Sequence, residues 1–306
     1  MSSLLKPSTR AFFKEWRKAP NYSLINFMHG YLYARWPYLY IGMGKGDHPL
    51  RKKLSFLNPL IDRLFPPHPL RSSQHSLTQP SYTHADGYHG KVIPLETARE
   101  IISVKEPIRM PDLEQVIPYT QARAILEQDP DHIAVLDCPC RAYQENPCLP
   151  MEVCIIVGEP FASFITEHEP KKSRWISRDD ALQILEEEDR RGHVHHAFFK
   201  EAMIGRFYAI CNCCSCCCGA MKFHMQGIPM LVSSGYLAVV DQDQCVGCGV
   251  CQEYCQFKAL DFNEENLTFV NESLCMGCGI CVSKCPQEAI TLRLEASKGI
   301  PLSVNG

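Results

Sequence analysis

Two stretches, VVDQDQCVGCGVCQEYCQFKALDF at 239–262 and FVNESLCMGCGICVSKCPQEAITL at 269–292, repeat one pattern at an offset of 30 residues. Each carries C-x2-C-x2-C-x3-C: Cys245, Cys248, Cys251 and Cys255, then Cys275, Cys278, Cys281 and Cys285. The chain has 18 cysteines in all. In a small secreted chain an even count would suggest a disulfide framework. Here the first twenty residues hold no long apolar core leading to a small-residue cleavage site. The cysteines also fall into short-spaced groups that suit metal clusters. The expectation is a reducing cytoplasm with thiolates as ligands, and with it oxygen sensitivity and an anaerobic host.

The doubled run is similar to that of bacterial two-cluster ferredoxins. In that family three close cysteines on a tight loop reach three corners of one cubane, and the fourth, starting a short helix, caps the neighbouring cluster. The resemblance implies one [4Fe–4S] cluster on Cys245, Cys248, Cys251 and Cys285, and a second on Cys275, Cys278, Cys281 and Cys255. Gly247, Gly249, Gly277 and Gly279 leave room for backbone N–H groups to approach the sulfides. The second copy has the expected Cys-Pro at Cys285 and Pro286, whereas Gln256 follows Cys255 in the first. That departure bears on the loop and the local solvation but leaves all eight ligands present. Closely spaced cysteines also suit a pair of zinc sites; two full runs in tandem favour clusters.

Upstream lies AICNCCSCCCGAM, residues 209–221, with six cysteines between Cys211 and Cys218. On a helix Cys211, Cys214 and Cys218 share one face and Cys213, Cys216 and Cys217 the other. On a strand, odd and even positions again divide three and three. Either way the segment offers three thiolates in each of two directions. DCPCRAYQENPC adds Cys138, Cys140 and Cys148, and Cys154 follows within EVCIIVG. One or two further Fe–S centres between the 138–154 and 211–218 ligands are expected. Zinc, a metal-free redox thiol pair, and a merely buried Cys154 stay open. Arg141 can offset cluster charge. Of His193, His195 and His196 in GHVHHAFF, His195 is the candidate to act, by alternation; packed or surface histidines are the alternative.

The C-x-C-R motif, the later cysteine pair, CNCCSCCC and the two-cluster run together resemble a broad group of 4Fe–4S dicluster proteins of anaerobic bacteria and archaea. That resemblance covers residues 91–295 and implies no substrate. The CCG at 217–219 is also similar to the cysteine-rich domains of heterodisulfide reductases, whose remaining spacing is not reproduced here.

The expected fold is α+β: residues 1–90 an aromatic-rich N-terminal segment and extended arm, 91–232 a central α/β cysteine-rich unit, 233–306 a ferredoxin-like two-cluster domain. HIAVLDC, EVCIIVG and RFYAI read as buried strands. SRDDALQILEEEDRRG reads as a helix with a capping box at Ser177 and Asp180, closed by Gly192, with Ala181, Leu182, Ile184 and Leu185 as its buried stripe. Residues 10–43 are dense in Trp and Tyr among scattered Arg and Lys. A packed or partner-docking helix pair and a membrane-surface contact are both readings of them. Residues 65–94, rich in Pro, Ser and His, read as an arm, with His68, His75, His84 and His89 solvated.

A net charge of −3 gives no basic footprint for nucleic acid. No apolar run of about 18 residues reads as a transmembrane segment. No glycine fingerprint follows a strand, so no flavin or NAD site is recognised. Two functions follow. One is an electron relay between redox partner proteins; the other is an oxidoreductase whose centre is the middle cysteine site, with Arg141 and His195 as candidate catalytic residues. A homo-oligomer and a membrane-associated cytoplasmic location are compatible with both.

Overall fold

A computed structural model describes residues 6–19, 22–53, 88–105, 113–117 and 131–304. Most of the 65–94 arm, with His68, His75 and His84, lies outside them. From Tyr88 onward the expectation of a solvated arm is corrected. Strand β1 (Tyr88–Ile93) pairs with β5 (Val194–Lys200), and His89 is buried opposite Phe199. The alternating apolar residues Val92 and Ile93, each about 1% exposed or less, have a core on both sides.

The fold is α+β. A seven-stranded sheet takes the order β4-β2-β3-β6-β5-β1-β7. Its other members are β2 (Ile133–Asp137), β3 (Glu152–Val157), β4 (Ser173–Ile176), β6 (Arg206–Cys213) and β7 (Leu231–Val232). Every pairing is antiparallel except β1 with β7. One face buries Ile133, Val135, Ile155, Phe199 and Ile210 beneath helices α5 (Leu95–Ser103) and α8 (Arg178–Arg190). The capping box at Ser177 and Asp180 is present, and Gly192 has φ +79° past the helix end.

The other face is covered by the N-terminal helices α1 (Pro7–Arg17), α2 (Leu24–Arg35) and α3 (Pro37–Lys45), and by α7 (Phe161–His168). A fourth N-terminal helix, α4, spans Pro49–Lys53, and α6 spans Leu113–Val116. Phe12 packs at a tilt against Phe164, 5.0 Å between centroids, and meets Phe161 edge-on at 6.2 Å. The Tyr33 and Tyr208 hydroxyls hydrogen-bond at 2.7 Å, and the Tyr38 hydroxyl donates to Asp137 O at 2.8 Å. Burying Phe12 or Trp16 contributes about 2–3 kcal/mol each, so the aromatic segment is part of the core. Its outer side still exposes Leu24, Ile25, Met28, Leu32, Trp36 and Leu39. No helix among the described residues is long and apolar enough to cross a membrane.

Helix α1 docks on α7 through polar contacts as well. Ser8 N donates to Glu167, and Thr9 Oγ1 lies 2.9 Å from His168 Nε2. Burial and the nearby cations Lys6 and Arg35 pull His168 down to about 4. A neutral His168 therefore favours the docked state, and acid opposes it. Docking should be fully stable above about pH 6.5 and weaken progressively as the pH falls towards 4. Proteolysis within 6–19 across that range checks this; the His168→Gln variant should show a flatter profile.

The C-terminal unit is built twice. Strand β8 (Tyr236–Val240), helix α10 (Val250–Tyr254) and β9 (Leu260–Phe262) are followed by β10 (Thr268–Val270), helix α11 (Ile280–Lys284) and β11 (Ile290–Leu294). β8 pairs with β11 and β9 with β10, so each repeat completes the other. The chain then returns to the large sheet: Leu302 enters the core beneath α5 and α8, and Lys91 Nζ donates to Ile300 O at 2.8 Å.

Candidate functional site

In the C-terminal unit, Cys245, Cys248, Cys251 and Cys285 line one cavity. Cys275, Cys278, Cys281 and Cys255 line another, walled by Leu260, Met276 and Ile280. Each set draws three thiols from one run and the fourth from the other, because the strand pairing of the repeats brings the helix ends across. The backbone is shaped to the same end. Gly247 and Gly277 have φ +64° and +63°, and a Cβ at either would stand 2.2 Å from a carbonyl oxygen, of Asn266 or Tyr236. Ala259 N donates to Cys255 Sγ at 3.2 Å and Ala289 N to Cys285 Sγ at 3.3 Å, so a main-chain donor is aimed at each sulfur. Burial works against thiolates at Cys278, whose thiol is pushed up to about 12. A bound cationic centre supplies the missing charge.

Residues 238–292 match the family model of the 4Fe-4S dicluster domain. The C-terminal part of this chain is a 4Fe-4S dicluster domain. No curated protein matches the chain. The two cavities, their glycine cradles and their N–H to sulfur bonds fit the clusters that such a domain holds. Clusters bound there take up and release single electrons.

The dicluster domain is joined to the central unit by the residue that replaces the expected proline. Gln256 Oε1 accepts from Ser215 N and Ser215 Oγ, both at 2.9 Å, and its Nε2 donates to Gly192 O at 3.0 Å. Ser215 lies between Cys214 and Cys216. Gln256→Pro should remove all three bonds and weaken the junction by roughly 2–4 kcal/mol, with iron content unchanged. Differential scanning calorimetry on anaerobic protein checks this, as a separate, earlier transition for one unit.

The ten central cysteines divide into six and four. Strand β6 carries Cys211 and Cys213 on one face, opposite Cys154 of β3 and His196 of β5 in register. The strand ends there, a turn follows, and Cys218 becomes the residue preceding helix α9 (Gly219–Met225). The 211–218 run divides into an inward three, Cys211, Cys213 and Cys218, and Cys214, Cys216 and Cys217 on the turn, because the strand period lapses at Cys214; Cys214 and Cys217 are buried and border the same cavity as the first three.

The inward three meet Cys138, Cys140 and Cys154. Thiol contacts run Cys211–Cys154–Cys138–Cys140–Cys218–Cys213. These six line a cavity of about 70 Å³, closed by Tyr33, Ala34 and Ile41 of the N-terminal helices. The charges are mutually constrained. Cys213 is drawn down to about 6 by Cys218 and, against burial, by His196. Cys211 rises to about 11, burial and neighbouring thiols outweighing its contact with Cys154. Four buried thiols and the half-buried Cys140 and Cys211, packed this closely, cannot all ionise without a cation among them.

Cys148, Cys214, Cys216 and Cys217 form the second group, with all four sulfurs within 4.8 Å of one another. Cys148 and Cys216 are 3.2 Å apart, and Cys216 and Cys217 3.5 Å.

Alternation along β5 turns His195 away from the thiols. His195 Nδ1 lies 2.6 Å from Asn212 Oδ1, and its Nε2 is 3.9 Å from Asp189. His196, which pairs with Cys211, is the histidine at the thiols, stacked on Phe198. Arg141 borders the six-thiol cavity, but its charge is already paired. Its Nη2 donates to Glu188 Oε2 at 2.9 Å and to Asn212 O at 3.2 Å and lies 3.2 Å from His193 Nδ1, while its Nη1 donates to Pro150 O. Burial opposes that charge and Glu188 holds it. Arg141 thus fixes the Cys138–Cys140 loop to α8 and β6. Sequence reading did not mark Lys45, whose Nζ donates to Cys140 O at 2.9 Å and Cys217 O at 3.0 Å. No local pattern signals it, since the contact spans 95 residues or more.

Proposed function

We propose that this protein relays electrons between redox partner proteins, with the six-thiol cavity as a further iron–sulfur centre in line with the dicluster domain. The observation that carries the reading is adjacency. Cys255 and Cys278, ligands for the second cluster, pack against the same core as Cys138, Cys154, Cys213 and Cys218. Cys248 is exposed and Cys245 half-exposed at the far cavity, beside exposed Val246. A redox partner would dock over that edge. The chain's part is to hold thiolates, exclude water with the N-terminal aromatics, and fix the distance between centres. A cytoplasmic location in an anaerobic host accords with so many exchangeable thiols.

The test is anaerobic reductive titration followed by electron paramagnetic resonance, on the native chain and on Cys154→Ser/Cys211→Ser. Native protein should show the dicluster signals plus a third component; the variant should show the dicluster signals alone. Identical spectra from the two proteins would refute a third centre in line.

A second reading, an oxidoreductase centred on the six-thiol cavity, draws on the Tyr33–Tyr208 hydroxyl pair, both members of which line it. Carbon monoxide or cyanide should then perturb the third component and leave the dicluster signals unchanged.

A further inference from the structure

The outer four-cysteine group differs in kind from the other thiols. Among the described residues, Cys148, Cys214, Cys216 and Cys217 are the one group of three or more ligand-type side chains whose ligand atoms converge as a single metal ion requires, all four sulfurs lying within 4.8 Å of one another. A cube pushes its terminal thiolates outward; a single ion draws them together. A tetrahedral ion with bonds of about 2.3 Å sets its ligand sulfurs about 3.8 Å apart. The Cys148–Cys216 and Cys216–Cys217 separations, 3.2 and 3.5 Å, lie within about half an ångström of that distance.

We propose that Cys148, Cys214, Cys216 and Cys217 hold a single zinc ion, separate from every iron–sulfur centre of the chain. Four thiolates in a closed tetrahedral set suit structural zinc. The group is made from two segments 66 residues apart at their nearest, the 139–151 loop and the turn after β6. Zinc there clamps one to the other. Cys214 and Cys217 also border the six-thiol cavity, so the clamp holds the wall of that cavity in place. Lys45 donates to Cys217 O and Cys140 O, joining the same two segments from α3. Lys45 is ion-paired with Asp47 at 2.9 Å. The clamp itself needs no electron to pass through it, so this inference is independent of the relay.

The test is zinc, iron and acid-labile sulfide per chain on protein purified without oxygen and passed through a chelator-containing column. The proteins are the native chain, Cys148→Ser/Cys216→Ser, and Cys216→His. Neither Cys148 nor Cys216 lines the six-thiol cavity. The native chain and Cys216→His, which keeps a fourth ligand, should each hold about one zinc. The double variant should hold none, with iron, sulfide and the dicluster spectrum unchanged, which also reports that it is folded. Loss of iron and sulfide together from the double variant would make the site a cluster and overturn the proposal. Equal zinc in the native and doubly substituted chains, including none in either, would overturn it as well.

Discussion

Arg141→Ala should destabilise the central unit by about 3–5 kcal/mol, the range for removing one partner of a buried ion pair. Arg141 is 1% exposed and Glu188 fully buried. Without the guanidinium, the Glu188 carboxylate keeps only His193 at 2.7 Å and the rim contact of Arg191 at 3.0 Å. The Pro150 and Asn212 carbonyls lose a donor in the same step. Because these bonds tie the Cys138–Cys140 loop to α8 and β6, the thiol geometry should fail together with stability. Urea unfolding of the anaerobic protein measures the first, and iron retention the second. Arg141→Ala/Glu188→Gln should recover part of the loss, since it leaves no uncompensated charge. If the double variant is no more stable than Arg141→Ala, the ion pair is not the cause.

Gly277→Ala should cost the chain its second cluster. Two effects act together. A side chain at φ +63° is strained by roughly 1–2 kcal/mol, and the new Cβ would meet Tyr236 O at 2.2 Å and Ser234 Oγ at 2.3 Å. The oxygen of Tyr236 is main chain in β8 and cannot swing aside, so the loop carrying Cys275 and Cys278 must move. The expected result is loss of about four irons and four sulfides, with thermal stability lowered by several degrees or more. Gly299→Ala is the control. It has φ +85° but open space around it, so it should show the strain alone and full iron content.

The dicluster domain was legible because its ligands are local. Two runs of four cysteines, with glycines between them, state their purpose within about a dozen residues each. The helix at Arg178–Arg190 was legible for the same reason, since its cap and its apolar stripe lie within one segment. The central thiols were not. Their division depends on where β6 ends, at Cys213, and on which strand pairs with which, and no periodicity in CNCCSCCC fixes either. His196 stands at the thiols and His195 does not, a result of the register between β5 and β6. That register was readable only once Cys211 had been given a side. The N-terminal aromatics illustrate the reverse case. Their density suggested contact with something apolar, and α7 and the sheet of the same chain take up Phe12, Trp16 and Tyr38. His89 was missed because Pro and Ser before it hid a strand that begins at Tyr88.

The most direct measurement is iron and acid-labile sulfide per chain on anaerobic native protein beside Cys154→Ser/Cys211→Ser. Two cubanes account for about eight irons. A cluster in the six-thiol cavity raises the native value to roughly twelve and leaves the variant near eight. About eight irons in both proteins would contradict the account, and would leave Cys138, Cys140, Cys154, Cys211, Cys213 and Cys218 as thiol chemistry without iron.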